Sequence, residues 1–322
     1  MKNKDIRKLK RPTPKQASVK LTQRMKNHFQ RYWQLYVLIA PAVIYFLIFH
    51  YGPMYGVQIA FKDYKPSLGI LDSPRVGFKH FKRFFNSYYF SDLMRNTLQI
   101  SLYELVVGFP MPIILALLFN ELRNGFFKKF AQTVTYAPHF ISTVVIVGML
   151  VAFLSPSTGL LNHLLASLGF ERVAFLEEAS WFKTIYVFSG IWQNTGWNTI
   201  IYMAALLGVD PQLYEAASID GASRWQKLIY INLPALIPTM VILLILNFGS
   251  IMAMGYEKIL LMQNALNISE SNVIATFTYK QGLLDGNYSY AAAIGLFNSA
   301  INAILLVVVN KFSRKLSRIS LW

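Results

Sequence analysis

The sequence contains no cysteine, which excludes disulfides, thiolate nucleophiles and cysteine zinc sites. Charge is scarce. Asp, Glu, Lys and Arg make up 14% of the 322 residues, against about 25% in an ordinary soluble domain. Acid is the scarcer sign, with 15 Asp and Glu against 31 Lys and Arg. No Gly-x-x-x-x-Gly-Lys-Ser/Thr loop occurs, so the chain has no nucleotide site of that kind, and neither His-Glu-x-x-His nor Gly-x-Ser-x-Gly is present. The histidines, at His28, His50, His80, His139 and His163, show no metal-ligand spacing. Energy for any active process must therefore come from a partner or from an ion gradient. What is present in quantity is apolar: hydrophobic residues are 54%, aromatics 15%, and mean hydropathy is +0.38. That composition points to an all-α membrane bundle anchored by aromatic side chains at two interfaces.

The formal net charge of +16 could suggest nucleic-acid binding, but its placement argues for a membrane instead. Eleven basic residues lie in 1–31 beside the single acid Asp5, and four more lie in 311–322 with no acid. A basic excess flanking apolar runs is the positive-inside pattern. No cleavable leader is expected, because the basic head is too long and Ala40-Pro41-Ala42 falls too early in the apolar run. Residues 1–31 read as a cytoplasmic segment, unstructured over about the first 20 and attracted to lipid by charge. Residues 32–311 read as the membrane domain and 312–322 as a cytoplasmic tail.

Stretches nearly free of charge predict six crossings, at about 34–60, 96–120, 131–154, 184–208, 234–255 and 288–310. Pro41, Gly52 and Pro53 predict a first span that kinks or stops near His50. Ser155-Pro156-Ser157-Thr158-Gly159 predicts the turn after the third, and Pro234 the start of the fifth. With both termini inside, the inner segments 1–31, 121–130, 208–234 and the tail hold 20 of the 31 basic residues. The first outer loop, about 62–94, breaks the trend with six basic residues. Its Lys79, Lys82 and Arg83, and Tyr256-Glu257-Lys258 beyond the fifth span, are candidate docking surfaces; ordinary solvated loops are the plainer alternative.

The segment before the fifth span carries the most information: Asp210-Pro211-Gln212-Leu213-Tyr214-Glu215-Ala216-Ala217-Ser218-Ile219-Asp220-Gly221-Ala222-Ser223-Arg224-Trp225. Asp210 suits an N-cap and Pro211 the first helical position. Leu213–Ile219 then form a short helix, Gly221 stops it in the left-handed conformation, and a second helix runs from about Ala222 to Ile231. Leu213, Tyr214, Ala216, Ala217, Ile219 and Ala222 make this knob too apolar for an idle loop. From composition alone it either docks into a groove of another protein or lies on lipid or on its own bundle.

The pattern Glu215-Ala216-Ala217, Gly221, Ile231 and Leu233-Pro234 resembles, without gap or mismatch, the signature loop of permease subunits of binding-protein-dependent ATP-binding-cassette importers. Asp220 and Ala222 beside the glycine resemble the sugar-importing branch. Tyr51-Gly52-Pro53, Phe61-Lys62-Asp63-Tyr64 and Val76-Gly77-Phe78-Lys79-His80-Phe81 further resemble the permeases of alginate and other polysaccharide importers. The resemblance implies a type I importer fold of six transmembrane helices in the cytoplasmic membrane. The knob between the fourth and fifth helices would be a coupling helix. Implied partners are a second homologous permease, a pair of ATPase subunits, an extracytoplasmic solute-binding protein and a saccharide, within membrane lipid and with no nucleic acid. This chain itself would bind no cofactor and catalyse no reaction, ATP and Mg²⁺ being held by the ATPases. Glu215 would contact the ATPase, Ala216 and Ala217 would allow close approach, Gly221 would permit the turn, and Asp220 and Ala222 would belong with them to the ATPase-coupling site.

Polar residues within the spans mark a candidate pathway. Trp192, Gln193, Asn194, Trp197 and Asn198 lie in the fourth, Asn247 in the fifth, and Glu104 is the only acid deep in a span. Indole faces stack on sugar rings and amides bond their hydroxyls. The same residues could instead be glue between helices around Gly196. Glu104 could contact substrate, relay protons or bond a neighbouring helix, and an ion-coupled secondary transporter using Glu104 is the competing function. His139 reads as packing.

Overall fold

The computed structural model describes the backbone of residues 14–317 and 319–322, and the side chains of 28–315 and 319–322. Among the described residues there is no named strand, only two isolated bridges, Lys62 with Arg75 and Lys65 with Gly69. The chain divides into two units, Met1–Gln58 and Ile59–Trp322.

In the first unit, helix α1 spans Pro14–Phe46, with a local departure from helical geometry at Tyr32. Residues 1–13 of the basic head lie outside the described residues. Residues 14–20, expected to be unstructured, are helical, begun by Pro14, whose fixed φ suits a first turn. The helix also does not stop near His50. It passes Gly52-Pro53 through a widened π-turn at Leu47–Tyr51, in which Gly52 N–H bonds the Leu47 carbonyl.

In the second unit, α2 (Phe90–Glu121) is followed by α3 (Phe126–Tyr136), α4 (Thr143–Leu154) and the 29-residue α5 (Ala179–Leu207). Then come α6 (Pro211–Ile219), α7 (Arg224–Gly249), α8 (Tyr256–Met262), α9 (Ile274–Tyr279) and α10 (Tyr288–Ser317). Among the described residues, four stretches are long and apolar enough to cross a bilayer: His28–Phe61, Phe90–Glu121, Arg224–Gly249 and Tyr288–Lys315. Helix α5 is long enough but too polar to join them, because Gln193, Asn194 and Asn198 sit in its middle.

The expected third span is not one helix. After α3 a 3-10 turn at Ala137–Phe140 leads to extended residues Ile141 and Ser142, and the axis bends by 100° into α4. Pro138 can give no backbone bond there, and Ser142 caps the new helix through Val145 N–H. The Ile141 carbonyl freed by the break accepts from Gln193 Nε2 at 3.1 Å, as an apolar setting requires. The fifth span starts at Arg224, ten residues before Pro234. Ser223 and Gln226 form a reciprocal capping box, and a π-turn at Leu228–Asn232 carries the helix up to the proline. A third π-turn, Glu104–Gly108, precedes Pro110 in α2. Proline lacks the N–H of the regular ladder and its ring crowds the carbonyl four residues back. Widening the preceding turn redistributes those bonds without breaking the helix.

Helices α2 and α5 pack along their length, as do α7 and α10. One cluster joins Ile113, Ala116, Leu117 and Phe119 of α2 to Tyr202, Met203 and Leu206 of α5 and Leu236 of α7. A second gathers Ile100, Val147, Phe182, Tyr186, Val187 and Ile259. A third holds Phe84, Leu93, Met252, Ile274, Phe277 and Ile294. Gly196 in α5 is buried against α3, where a β-carbon would overlap the Thr135 carbonyl.

The segment between α8 and α9 is fixed by one side chain. Asn267 is fully buried. Its amide donates to the Leu176 and Met262 carbonyls at 2.9 and 3.0 Å, and its oxygen accepts from Asn264 N–H and Ser271 Oγ at 3.0 Å each. Asn267→Ala leaves several of these groups without that partner, at roughly 1–3 kcal/mol per unpaired group. We expect a clear fall in the melting temperature of the detergent-solubilised protein. Asn267→Asp, which keeps the volume but loses both donors, should fall with it. A melting curve unchanged in both would show that the network is dispensable.

Candidate functional site

The knob is built as its local sequence dictates. Asp210 caps α6 by accepting from Gln212 N–H at 2.9 Å, and Pro211 opens the helix. Gly221 has φ +77°. Around it Ala222 N–H bonds the Ala217 carbonyl at 2.8 Å and Gly221 N–H bonds the Ser218 carbonyl at 3.2 Å, the paired bonds of a Schellman stop. The hook is braced to the foot of α7: Tyr214 OH bonds Asn232 Oδ1, and Lys227 Nζ bonds Ser218 Oγ at 2.7 Å.

Of the residues assigned to coupling, Glu215, Ala216, Asp220 and Gly221 are exposed, and Ala217 and Ala222 are half-buried. Leu213, Ile219 and Trp225 stand exposed beside them, Ile219 at 86%. Trp225 and Tyr230 belong to this surface and were not singled out from the sequence. They were legible only as two aromatics beside a turn, a pattern that core helices share. Tyr214, expected on the apolar patch, is half-buried by its bond to Asn232.

A cavity of about 880 Å³ lies between α2, α5 and α7, within the usual range of ligand sites, roughly 300–1,000 Å³. Five of the seven candidate pathway residues line it: Glu104, Asn194, Trp197, Asn198 and Asn247. Ser101 and Ser250 add hydroxyls, each already bonded to a backbone carbonyl. The other two candidates are elsewhere. Trp192 is half exposed away from the cavity, and Gln193 is spent on the broken third span. A helix turns about 100° per residue, so neighbours in sequence face apart.

Behind the cavity wall, Trp197 stacks on His139, with centroids 4.6 Å apart and planes 6° from parallel. Asn194 Oδ1 lies 3.1 Å from His139 Nδ1, and Asn194 Nδ2 donates to the Gly190 carbonyl. His139 thus packs, as expected, and holds both Asn194 and Trp197 in place. Gly249, one turn from Ile245 in α7, does not line the cavity and lets α7 approach Leu306 of α10.

Lys258, placed by sequence at a docking surface, points into the bundle: its Nζ donates to the Tyr186 carbonyl at 3.0 Å and sits 4.8 Å from the Tyr186 ring centre. Only the fold joins positions 72 residues apart, so no local signal could have revealed it. In the first loop Lys79 pairs with Asp63 at 2.7 Å and Arg83 lies over the Tyr290 ring. The Lys79 ammonium, by hydrogen bond, holds the Asp63 carboxyl below its ordinary range. Among the described residues no group of three acids or histidines could hold a metal ion.

Residues 108–318 match the family described as "Binding-protein-dependent transport system inner membrane component". The chain is 44% identical over 306 residues to the "Polygalacturonan/rhamnogalacturonan transport system permease protein YteP" of Bacillus subtilis, covering 95% of this chain and 93% of that protein. It is 45% identical over 281 residues to "Protein LplB" of the same organism, covering 87% and 88%. Among solved structures it superimposes with a TM-score of 0.84 at 40% identity on a chain of the "bacterial alginate ABC transporter in complex with alginate pentasaccharide-bound periplasmic protein", covering 92% of this chain and 100% of that one.

Proposed function

We propose, from the premise that this chain belongs to the family of binding-protein-dependent transport system inner membrane components, that it is the permease subunit of an ATP-driven importer of oligosaccharides or polysaccharide fragments. It pairs with a second permease of the same kind and receives substrate from an extracytoplasmic binding protein. It is driven by two ATPase subunits that hold the ATP and Mg²⁺, and this chain is not itself an enzyme. Both termini and the α6 hook lie on the cytoplasmic side.

The observation that carries this reading is the position of the hook. It joins the end of α5 to the start of α7, the helices that place Asn194, Trp197, Asn198 and Asn247 around the cavity. A partner gripping Leu213, Ile219 and Trp225 therefore moves two cavity walls together. Glu215 and Asp220 give that grip polar contacts, Ala216 and Ala217 keep it close, and Ala222 with Gly221 fixes the angle of the hook. In the cavity, the exposed face of Trp197 stacks on a sugar ring, while the Asn198 and Asn247 amides bond hydroxyls.

Purification from native membranes in mild detergent is expected to recover an ATPase with this chain. A binding protein loaded with a saccharide is expected to stimulate its hydrolysis of ATP severalfold. Recovery of the chain without an ATPase, together with uptake that collapses when the ion gradient is dissipated, would favour the ion-coupled alternative through Glu104.

A further inference from the structure

Glu104 opens the π-turn of α2 and faces the cavity, yet its carboxylate accepts no hydrogen bond from any described residue. An ionised carboxylate inside a membrane bundle needs a counter-charge. Lys258 supplies one from α8, near enough for the two charges to act on each other, but no ion pair within 4.0 Å joins them. Gly190 lies between them. A β-carbon at that position would be 3.4 Å from Lys258 Nζ and 3.9 Å from Glu104 Oε1. The missing side chain leaves a notch in the cavity wall with an acceptor on one rim and a cation on the other. Lys258 is held by the Tyr186 carbonyl and ring rather than by the acid, so both carboxylate oxygens stay free. Farther along α5, about two turns from Gly190, the Asn198 amide that also lines the cavity has no partner among the described residues.

A free carboxylate is an acceptor-only group that binds O–H donors in short, charge-assisted bonds. We propose that the Gly190 notch is a hydroxyl-binding subsite. In it Glu104 accepts the adjacent hydroxyl groups of one sugar unit, and Lys258 is the positioning residue that keeps Glu104 charged without occupying it. This rests on the saccharide reading above and deepens it. The subsite takes the hydroxyl edge of the sugar, and any acidic group on that unit faces away from Glu104.

The test uses the whole complex in proteoliposomes with three labelled probes: trisaccharides from galacturonan, alginate and arabinan. Uptake and ATP hydrolysis are measured together, with the melting temperature of each complex. Glu104→Gln is expected to lower uptake at least tenfold while stimulated ATP hydrolysis stays within twofold and melting is unchanged. Lys258→Met should lower uptake about fivefold and Lys258→Arg should restore it. Gly190→Ala makes only ordinary contacts with both rims and keeps both charges; it should also lower uptake severalfold by filling the notch. Wild-type uptake of none of the probes would overturn the saccharide reading and the subsite with it. Wild-type uptake with undiminished transport by Glu104→Gln or Gly190→Ala would overturn the subsite alone. So would a parallel loss of melting temperature and ATP hydrolysis, which marks a structural role, or uptake that follows the proton gradient, which marks a relay.

Discussion

Gly221→Asp is expected to reduce saccharide uptake at least tenfold while the protein still inserts and folds. Gly221 adopts φ +77°, and a β-carbon there would meet nothing within 4 Å. The substitution therefore creates no clash inside the chain. It introduces backbone strain of roughly 1–2 kcal/mol for an L-residue in that conformation, lessened for Asp by its tolerance of it. The larger effect arises on docking. The turn sits beside exposed Leu213 and Ile219, and covering that surface would strip water from an unpaired carboxylate, which costs several kcal/mol. Gly221→Ala carries the strain without the charge and should retain more uptake. The measurement is uptake by reconstituted complexes, with recovery of the ATPase on purification as the second readout. Normal uptake by the Asp variant would contradict the role given to the hook.

The second large effect is expected at Gly196. A β-carbon there overlaps the Thr135 carbonyl and lies 3.0 Å from Tyr136 N. All the obstructing atoms are backbone, so no rotamer change relieves the contact, and α3 must move off α5. Overpacking of this kind costs about 1–3 kcal/mol or more. It would also disturb the neighbouring bond from Gln193 to Ile141 and the stack of Trp197 on His139. Gly196→Ala should therefore yield little monodisperse protein in detergent, and Gly196→Val almost none. Gly148 in α4 is the control, since a β-carbon there meets nothing within 4 Å and alanine is the better helix former by roughly 1 kcal/mol. Gly148→Ala should behave as wild type or better. Equal yields from the two alanine variants would show that α3 and α5 do not cross as closely as described.

These two glycines mark the boundary of what the sequence makes legible. Gly221 could be read in advance because its signal is local: an N-cap, a proline, a helical run and a stop within a dozen residues. The apolar runs were legible for the same reason, being set by a bilayer thickness that every span must match. Gly196 was visible only as one choice of two, glue or pathway, and both hold within a single turn of α5: Gly196 seats α3 while Asn194, Trp197 and Asn198 reach the cavity. Which side of α5 meets which neighbour depends on where α2 and α7 pack, and nothing in α5 records that. The bend at Ile141 has a local signal, Pro138 followed four residues later by the capping Ser142, but a proline inside an apolar run is equally consistent with one kinked span. The pairing of Gly190 with Lys258 escaped because it arises only when α8 folds back on α5.

The three π-turns before Pro53, Pro110 and Pro234 have a consequence for how this chain can vary. Each contains one residue more than a regular helix of the same rise. Deleting one position within 104–108 would remove that extra residue and leave the helix after it nearly in phase, but would press the Pro110 ring against the carbonyl four residues back; a deletion in a regular turn of α2 would instead rotate everything after it by about 100°. A deletion at 109–112, for example, would swing Ile113 and Ala116 away from Tyr202 and Leu206. Length in the regular turns of these spans is thus fixed to the residue even where side-chain identity is free, while the loops and the widened turns are where one residue can be gained or lost with the least change of phase.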